Sequence, residues 1–154
     1  MKGNMRWWVI AAYITGDALD LTRTWYQGEE ADVQSEFDSA LKELSVTFDW
    51  IASRNAKDLE RRHLGLREII LEVERMVQDE QGRSKAKRIQ CRPVGFVLLE
   101  PTQAHGRMLP GLFVLLNGCT KTGTRYVQGQ AFDVALKLKD EFRTRKGVLH
   151  GYGI

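Results

Sequence analysis

This chain is short of the residue types that most enzyme chemistry requires. Its 154 residues include only 2 cysteines, 3 histidines and 3 prolines. Cys91 and Cys119 make no disulfide framework, and with so few histidines they offer no metal-ligand spacing. Their expected state is that of buried, reduced thiols in a cytoplasmic protein. Long hydrophobic runs are lacking too, and none approaches the roughly 20 apolar residues of a membrane span. The segment Trp7-Trp8-Val9-Ile10-Ala11-Ala12-Tyr13 is too short and aromatic for a signal peptide, and no small-residue cleavage pattern follows it. No Gly-x-Gly-x-x-Gly or Gly-x-x-x-x-Gly-Lys-Ser/Thr loop is present, and no Gly-x-Ser-x-Gly elbow. Dinucleotide, P-loop and serine-hydrolase chemistry therefore have no foundation here.

What the chain does have is polarised charge. Residues 1–80 carry 10 Lys/Arg against 16 Asp/Glu, net −6, and residues 81–154 carry 13 against 4, net +9; together these give the overall +3. Cations that share a face after folding favour a polyanion, because each neutralised phosphate releases counterions. A solvated surface with an ordinary basic helix end is the plainer alternative.

The length suits one domain over residues 1–154, enough to bury a core without staples. Arg6 to Ile14 reads as a strand, rich in aromatic and β-branched residues. Asp17 is placed to cap a short helix that closes near Gly28. Glu29, Glu30 and Asp32 then lead a longer helix in which Val33, Phe37, Leu41, Leu44, Phe48 and Ile51 recur at helical spacing. A basic link from Lys57 to His63 leads to Gly65. Arg67 to Val77 reads as a strand, with Leu71, Val73, Arg75 and Val77 on one face and Glu72, Glu74 and Met76 on the other. A polar turn over 78–84 precedes a strand from Lys87 to Leu99, where Pro93 and Gly95 predict an edge, a bulge or a break. Pro101 to Pro110 reads as a loop, and Leu112 to Cys119 as a buried strand. That strand delivers Lys121 to the rim of the sheet. A final helix follows with Ala131, Val134, Ala135, Leu138 and Phe142 on one face, and Lys139, Arg143, Arg145 and Lys146 in its last turns before Gly147. The expected fold is α+β: an antiparallel sheet of about four strands packed against helices, in the order β-α-α-β-β-β-α.

That order, with the phrases Gly65-Leu66-Arg67-Glu68-Ile69, Lys87-Arg88-Ile89 and Phe113-Val114-Leu115-Leu116-Asn117-Gly118-Cys119-Thr120-Lys121, and with Ala135 in the helix, resembles the RelE/HigB branch of bacterial toxin–antitoxin toxins. The likeness extends to the phage-derived HigB-like group. It covers most of the chain as an order of elements, and about 40 residues as sequence pattern. The chain departs from the family in Ile70, where an arginine is common, and in a lysine cluster reduced to Lys121. It also lacks the proline that often precedes the last helix.

The resemblance implies a toxin that cuts messenger RNA, mostly on the ribosome, without a cofactor or metal, held in check by a cognate antitoxin. The ribose 2′-hydroxyl attacks the adjacent phosphate, so a base, an acid and cations for the crowded phosphorane are needed. By matching positions, Lys121 and Arg88 are the expected catalytic residues. Arg92 and Arg125 would contact phosphate, and Tyr126 would stack on a base or donate a proton. Two alternatives stand beside this reading: a ParE-like gyrase poison, and a non-catalytic binding module on the same scaffold. His63, His105 and His150 are expected to be incidental, although the tail at His150-Gly151-Tyr152 is able to fold over a sheet.

Overall fold

The computed structural model describes residues 6–49, 56–59, 63, 65–120 and 128–152. Its elements are β1 (Trp8–Ile14), α1 (Leu21–Gln27), α2 (Ala31–Val46), β2 (Ala56–Asp58), β3 (Arg67–Ile69), β4 (Leu71–Gln78), β5 (Ser84–Leu99), β6 (Thr102–Ala104), β7 (Arg107–Leu109), β8 (Gly111–Thr120), α3 (Gln128–Arg143) and β9 (Val148–Gly151). A seven-stranded sheet runs β2-β3-β5-β8-β1-β9, with β4 also paired to β5, while β6 and β7 form a separate two-stranded ribbon.

The expectation of about four strands in the order β-α-α-β-β-β-α is overturned. The chain is α+β and mostly antiparallel, but it has more strands than a RelE-like sheet, and a strand rather than a helix is its last described element. Three short features account for the excess. β2 lies inside the basic link, β6 and β7 lie inside the presumed loop, and β9 closes the sheet beside β1. The β6–β7 turn uses His105 (φ 53°) and Gly106 (φ 72°), the left-handed pair of a two-residue hairpin. One pairing is also parallel, between β1 and β8, with Trp8 opposite Gly111 and Ala12 opposite Leu115.

β3 and β4 behave as one interrupted strand. Arg67 pairs with Gly95, Glu68 with Val94 and Leu71 with Cys91, so a single register continues through to Gln78 opposite Ser84. The interruption at Ile70 faces the region of Pro93, which has no N–H to give to the ladder. On the other side of β5 the register to β8 shifts between Val94 and Gly95 and again between Val97 and Leu99. Gly95 lies at the first shift because a Cβ there would collide with the Val114 carbonyl and press 2.8 Å from the Phe113 ring. The break and the bulge that Pro93 and Gly95 signal are both present, in a central strand.

Helices cover both faces of the sheet. In α2, Val33, Phe37, Leu41 and Leu44 are buried against Trp8, Ile10, Ala12, Leu71, Cys91, Phe113 and Leu115. The helix stops at Val46, so Phe48, expected in that stripe, is instead 54% exposed. Its carbonyl accepts a hydrogen bond from the Trp8 indole at 3.1 Å. Ile51 lies outside the described residues. The short helix begins later than Asp17, and its cap is Asp20, whose side chain accepts the Arg23 N–H. On the opposite face α3 sets Phe132, Ala135, Leu138 and Phe142 against Tyr13, Val94, Phe96, Val114 and Leu116. Alternation along β8 divides its side chains between these cores, Phe113 and Leu115 to one and Val114 and Leu116 to the other. Cys91 and Cys119 are free and buried.

Candidate functional site

Two expected site residues lie on β5, and side-chain alternation puts Arg88, Gln90 and Arg92 on the same strand face. Arg88 stands opposite Glu74, is 74% exposed, and keeps its guanidinium 3.8 Å from the Glu72 carboxylate. Arg92 is enclosed, with 14% of its side chain exposed. Its Nε lies 3.7 Å from Glu68, itself only 5% exposed, and its terminal nitrogens donate to the Cys91 carbonyl at 3.0 Å and to Gln90 at 3.3 Å. A longer contact of 3.5 Å reaches the Leu71 carbonyl, beside the gap in the ladder. Arg92 therefore braces the sheet where β3 passes into β4, and its charge is met by Glu68.

The end of β8 reaches the same part of the sheet. Thr120 pairs with Cys91 and Cys119 with Arg92. Lys121 follows directly in the chain; Lys121, Arg125 and Tyr126 all lie outside the described residues, so of the five expected residues the structure describes Arg88 and Arg92, four residues apart on one face of β5. The strand end itself is tied down. The Thr120 hydroxyl accepts from the Trp25 indole at 2.7 Å, donates to Glu29, and sits 3.6 Å from the Cys91 sulfur. Gly118 makes room for the Trp25 ring, since a Cβ there would overlap it. Close by, Arg75 binds Asp32 through two nitrogens at 2.6 and 2.8 Å and approaches Glu30 at 3.5 Å. The Arg75 guanidinium holds the Asp32 carboxyl below its ordinary range.

The thiols are poor nucleophiles. Burial raises the Cys91 pKa, and burial together with the negative charge of Glu68 pushes Cys119 up to about 12. Neither forms a thiolate at neutral pH. Among the described residues no group of three or more His, Cys, Asp or Glu side chains is arranged to hold a metal ion.

Sequence reasoning missed several partners. Glu68 is one position of the Gly65–Ile69 phrase with no local sign of its role, yet it is the buried counter-charge to Arg92. Thr120, Glu29 and Trp25 come from three separate elements, and no local signal joins them. His63 places Nε2 2.7 Å from Asp133 of α3 and its ring edge-on to Phe132, which makes it part of the α3 packing and not a bystander. Lys139 is a described lysine with a depressed pKa, lowered by burial and then by Arg143; it donates to the Gly65 carbonyl at 3.3 Å and lies over Phe96. His105 occupies the β6–β7 turn. His150 and Tyr152 line a cavity of about 270 Å³ with Asp20, Arg23, Tyr26 and Asp38. The tail joins the sheet as its edge strand beside β1 and does not fold over it, with the Tyr152 amide continuing the ladder by donating to the Ile10 carbonyl at 2.9 Å. No helix among the described residues is long and apolar enough to cross a membrane. No protein-family model, no curated protein and no solved structure matches the chain.

Proposed function

We propose that the chain is a toxin of a toxin–antitoxin pair, similar to RelE/HigB, that cuts messenger RNA on the ribosome in the cytoplasm. The observation that carries this reading is one of register. Arg92 pairs with Cys119, two residues before Lys121, and Arg88 lies four residues back on the same face of β5. Arg88 and Arg92 thus share one face of β5 beside the end of β8, after which the chain proceeds to Lys121, Arg125 and Tyr126. The phrases behind the resemblance fall on β3, β5 and β8, three consecutive positions of the sheet.

In this reading the 2′-oxygen attacks the neighbouring phosphorus, the P–O5′ bond breaks, and the products are a 2′,3′-cyclic phosphate and a free 5′-hydroxyl. Lys121 exchanges protons with the reacting oxygens, and Arg88 neutralises charge on the phosphorane. The exposed Arg88–Glu72 contact is weak enough to yield to a phosphate. Arg92, held by Glu68, positions the strand and supplies field to the same end, while Arg125 and Tyr126 bind backbone and base. No cofactor takes part. A cognate antitoxin with an acidic segment restrains the toxin.

One observation favours a second reading, a non-catalytic binding module. Arg88 and Arg92 already face carboxylates, Arg88 with Glu72 and Arg92 with Glu68. Tightly induced expression with transcriptome-wide mapping of RNA 5′ ends separates these possibilities. New 5′-hydroxyl ends inside coding regions, lost in Lys121→Ala and Arg88→Ala, are expected of the ribonuclease. Growth arrest with DNA damage and without such ends would instead match a gyrase poison. Absence of both arrest and cleavage would leave the binding module.

A further inference from the structure

A cavity of about 270 Å³ opens between α1, α2 and the C-terminal tail, and none of the residues assigned to RNA cleavage lines it. Asp20 at the cap of α1, then Arg23 and Tyr26, line it at three-residue spacing, which keeps them on one side of the helix. α2 supplies Asp38. β9 supplies His150, and Tyr152 follows on the same side of the strand, whereas Leu149 packs into the core under α3.

The lining combines aromatic rings with charges of both signs. The rings of Tyr26 and Tyr152 both rest against Phe37, at 5.7 and 6.1 Å between centroids. Tyr26 donates to one Asp38 oxygen at 2.8 Å, and Asp20 accepts the Arg23 amide through one oxygen at 2.9 Å. Each carboxylate is thereby oriented, yet each keeps a second oxygen with no protein donor among the described residues. Among the described residues the Tyr152 hydroxyl and the Arg23 guanidinium also have no protein hydrogen-bond partner. Four polar groups are therefore left with capacity to spare around one small space.

The geometry points to a binding site for a free amino acid with an apolar side chain, held as its zwitterion. The ammonium group takes the spare oxygens of Asp38 and Asp20, the carboxylate takes Arg23, and the side chain lies against the Tyr26 and Tyr152 rings. Charge decides against the alternatives. A purely cationic ligand would have to sit beside Arg23, and a nucleotide would bring its phosphate to two carboxylates and one guanidinium. A small molecule carrying both charges meets both signs with hydrogen bonds. Size agrees, because the space falls just short of the roughly 300–1,000 Å³ of sites for drug-sized molecules. This inference does not depend on whether the chain cuts RNA.

The test is titration calorimetry on the full chain with L-phenylalanine and L-leucine. Each is also supplied as its amide, which lacks the anion, and as its N-acetyl derivative, which lacks the cation. At least one free amino acid is expected to bind saturably, with both of its blocked forms roughly tenfold or more weaker. Arg23→Gln is expected to lose the preference over the amide, and Asp20→Asn/Asp38→Asn the preference over the N-acetyl form. The Asp20→Asn change leaves a side-chain acceptor to cap α1, and a folding defect would weaken all forms alike. Independently of the variants, the free amino acid is expected to shift the backbone NMR signals of wild-type Arg23, Tyr26 and Tyr152. Absence of saturable binding of both amino acids at millimolar concentration, equal binding of free and blocked forms, preferences unchanged in the variants, or NMR shifts confined to residues away from the cavity would each overturn the proposal.

Discussion

The Thr120 hydroxyl gives the sharpest test of how the end of β8 is held. It accepts from the Trp25 indole at 2.7 Å and donates to the Glu29 carboxylate, so it joins β8 to α1 and to the residues leading into α2. Thr120→Val keeps the shape and the β-branch and deletes only the hydrogen bonding. Loss of the neutral bond costs about 1 kcal/mol and loss of the charged one roughly 1.5–3 kcal/mol. Glu29 is only partly buried and can turn to water, which reduces its share, so the expected total is about 2–3 kcal/mol. With a urea m-value of about 2 kcal/mol/M the unfolding midpoint falls by roughly 1–1.5 M, with m unchanged. Thr120→Ser retains the hydroxyl and loses one methyl, a cost of about 0.8 kcal/mol. In a double-mutant cycle, Trp25→Phe with Thr120→Val should show a coupling of about 1 kcal/mol. A valine variant within about 0.5 kcal/mol of wild type, or a serine variant as damaged as the valine one, would refute the clamp.

The remaining predictions concern charge, ionisation and close packing. Arg92→Met leaves Glu68 without its 3.7 Å partner in a site where that carboxylate is 5% exposed, so a loss of about 3–5 kcal/mol is expected. Adding Glu68→Leu should recover most of it in urea unfolding, and no recovery would show that Arg92 serves something other than this pair. Tyr13 is pushed up to about 12 by burial and by its 2.6 Å hydrogen bond to Glu141, and Tyr152 is pushed up to about 12 chiefly by burial. Each contributes stability that is fully present below the unfolded tyrosine value near 10 and is lost as pH rises from there through about 12. Ultraviolet titration of Tyr13→Phe should therefore lack one late-ionising phenol, and its alkaline stability curve should be flatter; an unchanged titration would contradict the burial argument. Gly95→Ala forces a methyl into the Val114 carbonyl and the Phe113 ring, so a loss of about 3 kcal/mol or more is expected by thermal unfolding.

Legibility in this sequence follows how local each determinant is. α2 and α3 could be read because Val33, Phe37, Leu41 and Leu44, and later Ala135, Leu138 and Phe142, carry their helical period within a few turns. The split of faces along β4 could be read for the same reason, since alternation is also local. β9 could not, because Val148–Gly151 is four residues long and carries no pattern of its own; it is a strand only because β1 lies beside it. β2 has three residues and exists only through its pairing with β3. The candidate site divides along the same line. That Arg88 and Arg92 share a face of β5 follows from their spacing, whereas their neutralisation depends on Glu72 and Glu68, which arrive through the register of the β3–β4 strand. Register is fixed by the whole ladder, including the gap opposite Pro93, so a sequence scan finds the cations before it finds what holds them. The same two arginines consequently differ in what they offer a phosphate. Arg88 has a weak exposed contact to release, and Arg92 would have to abandon a buried carboxylate and two strand contacts. Any phosphate chemistry at this end of the sheet should therefore be far more sensitive to Arg88 in its rate, and to Arg92 in its folding.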